Sequence, residues 1–188
     1  MTDRIKQLQQ QIDGLKRELS EARRAVPHEP VKDYTLSNPD GSGTRLSELF
    51  AGKKDLIVIH NMGKRCPYCT LWADGMNGFT DHLNDRAGFV LASPDSPEVM
   101  REFAAGRGWK YRTVSIANTS FAADLGFEPQ PGKFMPGVSA FRKRDDGSIV
   151  RTGHAVFGPG DDFCAIWHMF DLLEGGAGDW APKYVYGR

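Results

Sequence analysis

A chain of 188 residues carries 24 basic and 24 acidic side chains and three cysteines. That length suits one domain of ordinary size plus an appendage, and the balanced charge removes any electrostatic case for nucleic acid or an anionic membrane surface. No stretch approaches the ~20 apolar residues that span a bilayer, and the polar segment Met1 to Arg24 lacks the apolar centre of a signal peptide.

Taken in chain order, Ile5, Leu8, Ile12, Leu15, Leu19, Ala22 and Val26 alternate spacings of three and four. This is the a/d seam of a coiled coil, with Lys, Arg, Glu and Gln between. The pattern predicts a helical unit over residues 1–27 that joins copies of the chain into a homo-oligomer through residues 1–26. The alternative is an amphipathic helix packed on its own domain, and Gly14 weakens either version. Pro27 and Pro30 end the helix and mark a linker, so residues 28–188 form the second unit.

Asp33 to Leu36 reads as a short edge strand and Asn38 to Gly43 as a turn. Ser47 to Phe50 is a brief helical turn. Leu56 to His60 is a continuous apolar run, expected of a parallel strand covered on both faces. A helix opens at Cys66 and extends to about Leu83, with Gly75 and Gly78 predicting a break. Phe89 to Ser93 is the next strand, and a helix follows with Ser96 as N-cap and Pro97 in its first turn. Tyr111 to Ile116 is a further strand, and a short helical segment surrounds Phe121 to Gly126. Two strands, Gly137 to Arg142 and Ser148 to Thr152, flank the hairpin turn Asp145-Asp146-Gly147. Asp162 to Leu173 is a closing helix ending at Gly175-Gly176. The Tyr- and Trp-bearing tail, Trp180 to Arg188, packs on the body or on an interface. The expected class is α/β.

Chemistry concentrates in Cys66-Pro67-Tyr68-Cys69. A buried strand, a short loop and two cysteines opening a helix suit thiol–disulfide exchange. A helix N-terminus offers unpaired N–H groups and partial positive charge, which favour a thiolate. The two-residue spacing lets one sulfur attack and the other resolve the mixed disulfide. Lys64 and Arg65 add positive charge beside Cys66. Three cysteines make no disulfide framework, so the expected compartment is reducing, most simply the cytoplasm.

This order of elements, with the cysteines after a central strand, resembles the thioredoxin fold: a central mixed sheet with flanking helices in three layers. More narrowly, the chain is similar to a thioredoxin-like, peroxiredoxin-like bacterial family called domain of unknown function 899. The matching residues are His60, the run Cys66-Pro67-x-Cys69-Thr70-x-Trp72-Ala73-Asp74, His82-Leu83-Asn84, Gly108-Trp109 and Pro136 to Phe141. The likeness covers roughly Tyr34 to Leu173 and leaves the N-terminal helix outside. It implies that Cys66 is the exposed nucleophile and Cys69 the deeper resolving thiol. It further implies a cis-proline at Met135-Pro136, where the backbone would present substrate to the cysteines. His60 stands six residues before Cys66, where thioredoxins bury a carboxylate. An imidazole there is either a base for Cys69 or a side chain simply hydrogen-bonded in place.

The reading is a thiol–disulfide oxidoreductase with Cys66, Cys69 and His60 as catalytic residues. Lys64, Arg65, Pro67, Tyr68, Met135 and Pro136 are its substrate-binding residues. It expects no cofactor and no metal, a protein or small-molecule disulfide as substrate, and an unidentified thiol as reductant. Trp72 and Cys164 are expected in the core and His154 at the surface, and Asp74 either joins the site's network or caps the bend at Gly75. Three alternatives stand. A metal-binding module would use Cys66 and Cys69 with His60 or His154, although a structural zinc site wants four ligands. A redox-inert scaffold would work through the N-terminal helix. A thiol peroxidase lacks the Pro-x-x-x-Thr-x-x-Cys cradle that peroxiredoxins share. Cys-Pro-Tyr-Cys is also the common glutaredoxin sequence, which leaves glutathione open as a substrate.

Overall fold

The structure, a computed structural model, describes residues 2–187. The chain opens with helix α1 (Asp3–Ala25), capped by Thr2, whose hydroxyl accepts the Ile5 N–H. Gly14 does not interrupt it. None of its residues is buried, and Ile5, Leu8, Ile12, Leu15 and Leu19 are 39 to 63 % exposed. The a/d seam therefore has no cover within the chain. Lys16 pairs with Asp162 at 2.8 Å and ties the helix to the body.

The linker is more ordered than the sequence indicates. Glu29–Val31 forms strand β1 on the edge of the sheet, the one place where Pro30 can sit without breaking a ladder. Next come β2 (Thr35–Ser37) and β3 (Gly43–Arg45), the second falling at the end of the predicted turn. A turn of 3-10 helix (Leu46–Glu48) leads to β4 (Asp55–His60). The predicted break separates α2 (Pro67–Asn77) from α3 (Thr80–Arg86) at Gly78. β5 (Gly88–Ser93), α4 (Pro97–Arg107) and β6 (Arg112–Ser115) follow, and Ser96 caps α4 as expected by accepting the Val99 N–H. α5 (Phe121–Asp124), the hairpin β7 (Gly137–Lys143) and β8 (Ile149–Val156), and α6 (Ala165–Phe170) complete the order. The last helix is shorter than predicted.

All eight strands join one sheet in the order β1-β8-β7-β4-β5-β6-β2-β3. β4, β5 and β6 run parallel, and β7 is antiparallel to β4, so the sheet is mixed. Alternation along β4 divides the core. Leu56 and Val58 enter a cluster with Phe50, Phe121 and Phe141, whereas Ile57 and Ile59 face Trp72, Leu91, Trp167 and the α2 layer. β5 repeats this, with Val90 and Ala92 on the first face and Phe89 and Leu91 on the second. Helices on both faces of a mixed sheet make the three-layer arrangement expected. Gly137 is sterically required, because a Cβ there would collide with the Ala155 carbonyl and the Phe127 ring. No helix among the described residues is long and apolar enough to cross a membrane.

Candidate active site

The loop between β4 and α2 is held from below. Asn61 is buried; its N–H donates to the Ala92 carbonyl at 2.9 Å, and its Oδ1 accepts the Gly63 N–H at 2.7 Å. Gly63 has φ +99°, a conformation that favours glycine, and a Cβ there would crowd the Asp95 carboxylate at 3.2 Å. Asp95 accepts the Lys64 N–H at 2.6 Å and the Ser93 hydroxyl at 3.0 Å. The chain then turns, the Cys66 N–H donating to the Gly63 carbonyl at 3.1 Å, and α2 begins. Asn61 and Asp95 escaped the sequence reading; a polar pair flanking two apolar strands was the signal that marked them.

Cys66 is the N-cap of α2, with Pro67 in the first turn. Its sulfur accepts the Cys69 N–H at 3.1 Å, and its carbonyl accepts both the N–H and the hydroxyl of Thr70. The thiol is half-buried, and all three cysteines are free. The Cys69 thiol hydrogen-bonds to the Cys66 sulfur, and with the backbone N–H groups of Cys69 and Tyr68 it lowers the Cys66 pKa to about 7 against the opposing effect of burial. The same contact and burial push the Cys69 thiol far up, so it keeps its proton. Lys64 and Arg65 are exposed on the loop before Cys66. The largest source of the acidity of Cys66 is the Cys69 thiol in the first turn of the helix, followed by backbone N–H groups of that turn.

His60 is not beside the cysteines. It follows Val58 by two residues and shares that residue's face of the sheet, opposite to α2. Its ring is 3 % exposed, stacks on Phe127 at 3.7 Å and lies 2.9 Å by Nε2 from the Ser139 hydroxyl, while Nδ1 has no partner. Burial, with the charges of Arg151 and His154, lowers its pKa to about 3. A neutral imidazole in the far layer is no base for Cys69, which corrects the catalytic expectation. Strand parity is the reason.

Met135 and Pro136 also depart from expectation. Among the described residues there is no cis peptide bond, so Met135–Pro136 is trans. The Met135 N–H donates to the Phe127 carbonyl at 2.8 Å, the Pro136 carbonyl accepts the Phe157 N–H at 2.9 Å, and the Met135 side chain packs on the far cluster. These groups are engaged in holding the start of β7 and are not free for a substrate backbone.

Pro67 and Tyr68 are partly exposed beside Cys66. Tyr68 stacks at 6.2 Å on Trp167 and lies 6.3 Å from Trp72, so it forms the outer edge of an aromatic cluster. Trp72 is buried and donates from Nε1 to Asp161 at 3.3 Å; Cys164 is buried in the same cluster, and His154 is exposed, all as expected. Asp74 is more than a cap. It accepts from Arg107 and from the Trp109 indole at 2.8 Å, and Arg107 reaches on to the Tyr184 carbonyl at 2.8 Å. The tail thus returns to the body. Its Tyr184, with Phe103, Lys64 and Arg65, lines a cleft of about 360 Å³ next to the cysteine loop. Among the described residues, no three His, Cys, Asp or Glu side chains gather as a metal-ligand group.

The fold is similar to that of several peroxiredoxins of solved structure. Peroxidoxin BcpB from Mycobacterium tuberculosis is 24 % identical with a TM-score of 0.57, covering 73 % of this chain and 88 % of that one. Reduced Prx3 from Vibrio vulnificus, solved in complex with hydrogen peroxide, is 20 % identical at a TM-score of 0.54, covering 72 % and 90 %. A hypothetical protein from Sinorhizobium meliloti is 14 % identical at 0.52, covering 85 % and 88 %. At such identities the likeness establishes the fold. No curated protein matches this chain. The match that spans most of the molecule is to a family model over residues 4–185, which takes in the N-terminal helix that the sequence resemblance left outside. With that match over a thioredoxin-like fold, the chain belongs to the bacterial protein family of unknown function DUF899.

Proposed function

We propose that this protein is a thiol–disulfide oxidoreductase whose redox centre is the Cys66–Cys69 pair. The observation that carries the reading is the split between two adjacent sulfurs. Cys66 is half-buried at a helix N-cap with its pKa lowered to about 7, and Cys69 behind it is protonated and buried. That is the division of labour exchange chemistry needs. The Cys66 thiolate attacks one sulfur of a substrate disulfide; the new S–S bond forms as the old one breaks, and a substrate thiolate leaves and takes a proton from solvent. Cys69 then gives up its proton and attacks the Cys66 sulfur, expelling the second substrate half as thiolate. Two electrons pass from the dithiol to the substrate, and an external thiol in a reducing compartment such as the cytoplasm restores the pair.

A second reading is a thiol peroxidase, favoured by the peroxiredoxin architecture of the structural neighbours. The Cys66 thiolate would then take an oxygen from hydrogen peroxide to become a sulfenic acid, releasing hydroxide, and Cys69 would condense with it to the disulfide and water. Both readings end at the same intramolecular disulfide. We also place self-association in the proposal: the uncovered seam of α1 supports pairing with a second copy of the chain.

A redox titration of the pair in dithiothreitol buffers, read by alkylation and mass, tests the common core. A reversible two-electron transition is expected; no Cys66–Cys69 disulfide at any poise overturns both readings. The rates at which the reduced protein is oxidised by hydrogen peroxide and by a model disulfide then separate them.

A further inference from the structure

The cleft beside the cysteine loop has two unlike walls. On one side are Lys64 and Arg65, exposed cations immediately before Cys66 in the chain. On the other are Phe103 and Tyr184, ring centroids 6.5 Å apart and nearly perpendicular. No carboxylate lines it. Among the described residues neither Lys64 nor Arg65 forms an ion pair, although eleven pairs exist elsewhere on the molecule. Two adjacent exposed cations without a counter-charge, next to the redox pair, are available to an incoming anion.

The aromatic wall is built, not incidental. Tyr184 belongs to the C-terminal tail, and its carbonyl is held by Arg107, itself locked to Asp74 through two nitrogens. Phe103 is braced from behind by Trp109 at 5.5 Å, edge to face. Burial, with the charge of the Cys66 thiolate, makes the Tyr184 phenol keep its proton more tightly than usual. The cleft is shallow and open to solvent, so it offers a surface for one end of a small molecule and does not enclose it.

We infer that this cleft binds the carboxylate-bearing half of a small disulfide substrate, with Lys64 and Arg65 taking the carboxylate and Phe103 and Tyr184 covering the carbon chain beside the sulfur. The inference rests on the thiol–disulfide reading and adds its substrate class. Lys64, Arg65, Phe103 and Tyr184 are specificity residues in this account.

The test uses three disulfides of similar length: 3,3'-dithiodipropionate with two carboxylates, bis(2-hydroxyethyl) disulfide with none, and cystamine with two ammonium groups. Second-order rates for oxidation of the full-length reduced protein are read by alkylating the remaining thiols. Each rate is divided by that of the same disulfide with dithiothreitol, because the leaving thiols differ in acidity. The normalised order should run anionic, neutral, cationic, with the first exceeding the second roughly fivefold at low salt, the scale of two exposed charge contacts. Raising ionic strength should shrink that ratio, and in the double variant K64Q/R65Q it should fall toward one. Equal normalised rates, or a ratio that salt and K64Q/R65Q leave unchanged, overturn the assignment of the cleft while leaving the redox pair intact. Failure of all three compounds to oxidise the pair overturns the redox reading as well.

Discussion

At the scale of single residues the protein turns on how one helical turn treats two sulfurs. Cys66 gains acidity from the Cys69 thiol first and from two backbone N–H groups second. Iodoacetamide should therefore react with Cys66 at a rate that climbs through a midpoint near pH 7, while Cys69 stays unmodified. In Cys69→Ala the principal donor is gone, and the midpoint should move up toward the ordinary thiol value of about 8.5. An unchanged midpoint would mean that the backbone alone sets the thiolate. His60 yields a separate prediction. Its folded pKa of about 3 lies below the ordinary 6.5, so the unfolded chain takes up a proton that the native state refuses. The stability it supports is complete above pH 6.5 and is lost as pH falls toward 3. His60→Leu should flatten that part of the stability–pH curve, measured by urea unfolding, and should leave oxidation of the cysteine pair intact. Loss of redox turnover in a folded His60→Leu protein would restore the base role to this histidine.

At the scale of elements, α1 is the outlier. A 23-residue helix with no buried residue gains nothing from packing an apolar face, and isolated helices of modest length are marginal in water. The proposed self-association would be met by a parallel two-stranded pairing of this seam. In that register Glu18 of one helix approaches Arg23 of the other, the attractive e/g arrangement of a two-stranded coil. The expected outcome for full-length protein with Ile12→Glu and Leu19→Glu is a fall from dimer to monomer mass by light scattering, with the secondary structure of the body retained. A mass that does not change would leave the seam without a role in assembly. The spacing of the seam, the Ser96 cap, the break at Gly78 and the hairpin at Asp145-Asp146-Gly147 were all legible in the sequence, because each depends on residues within one or two turns of chain. β1 and β3 were not. Three-residue strands carry almost no signal of their own: β1 acquires its ladder from a distant partner, Arg151 opposite Glu29, and β3 only from the short strand across its turn, Thr35 opposite Arg45.

Across the whole molecule, residues far apart in sequence close the site. Asp74 on α2, Arg107 at the end of α4 and Tyr184 in the tail are joined in one chain of contacts, so the tail is fastened over the cleft by a guanidinium. Arg107→Ala should release it, and limited trypsin digestion should then cut after Lys183 several-fold faster than in the wild type, followed by mass. Equal cleavage would show that the aromatic contact of Tyr184 with Phe103 is sufficient alone. Local sequence was enough for the order of the longer elements, for the cysteine pair at a helix N-cap and for the glycine break, since periodicity and capping are properties of neighbouring residues. Only the tertiary structure decided that His60 faces away from α2, that Met135 and Pro136 spend their backbone groups on β7, and that Tyr184 stands beside Lys64 and Arg65. Such facts depend on strand parity and on the order of strands in the sheet, which bring together side chains that no local spacing relates.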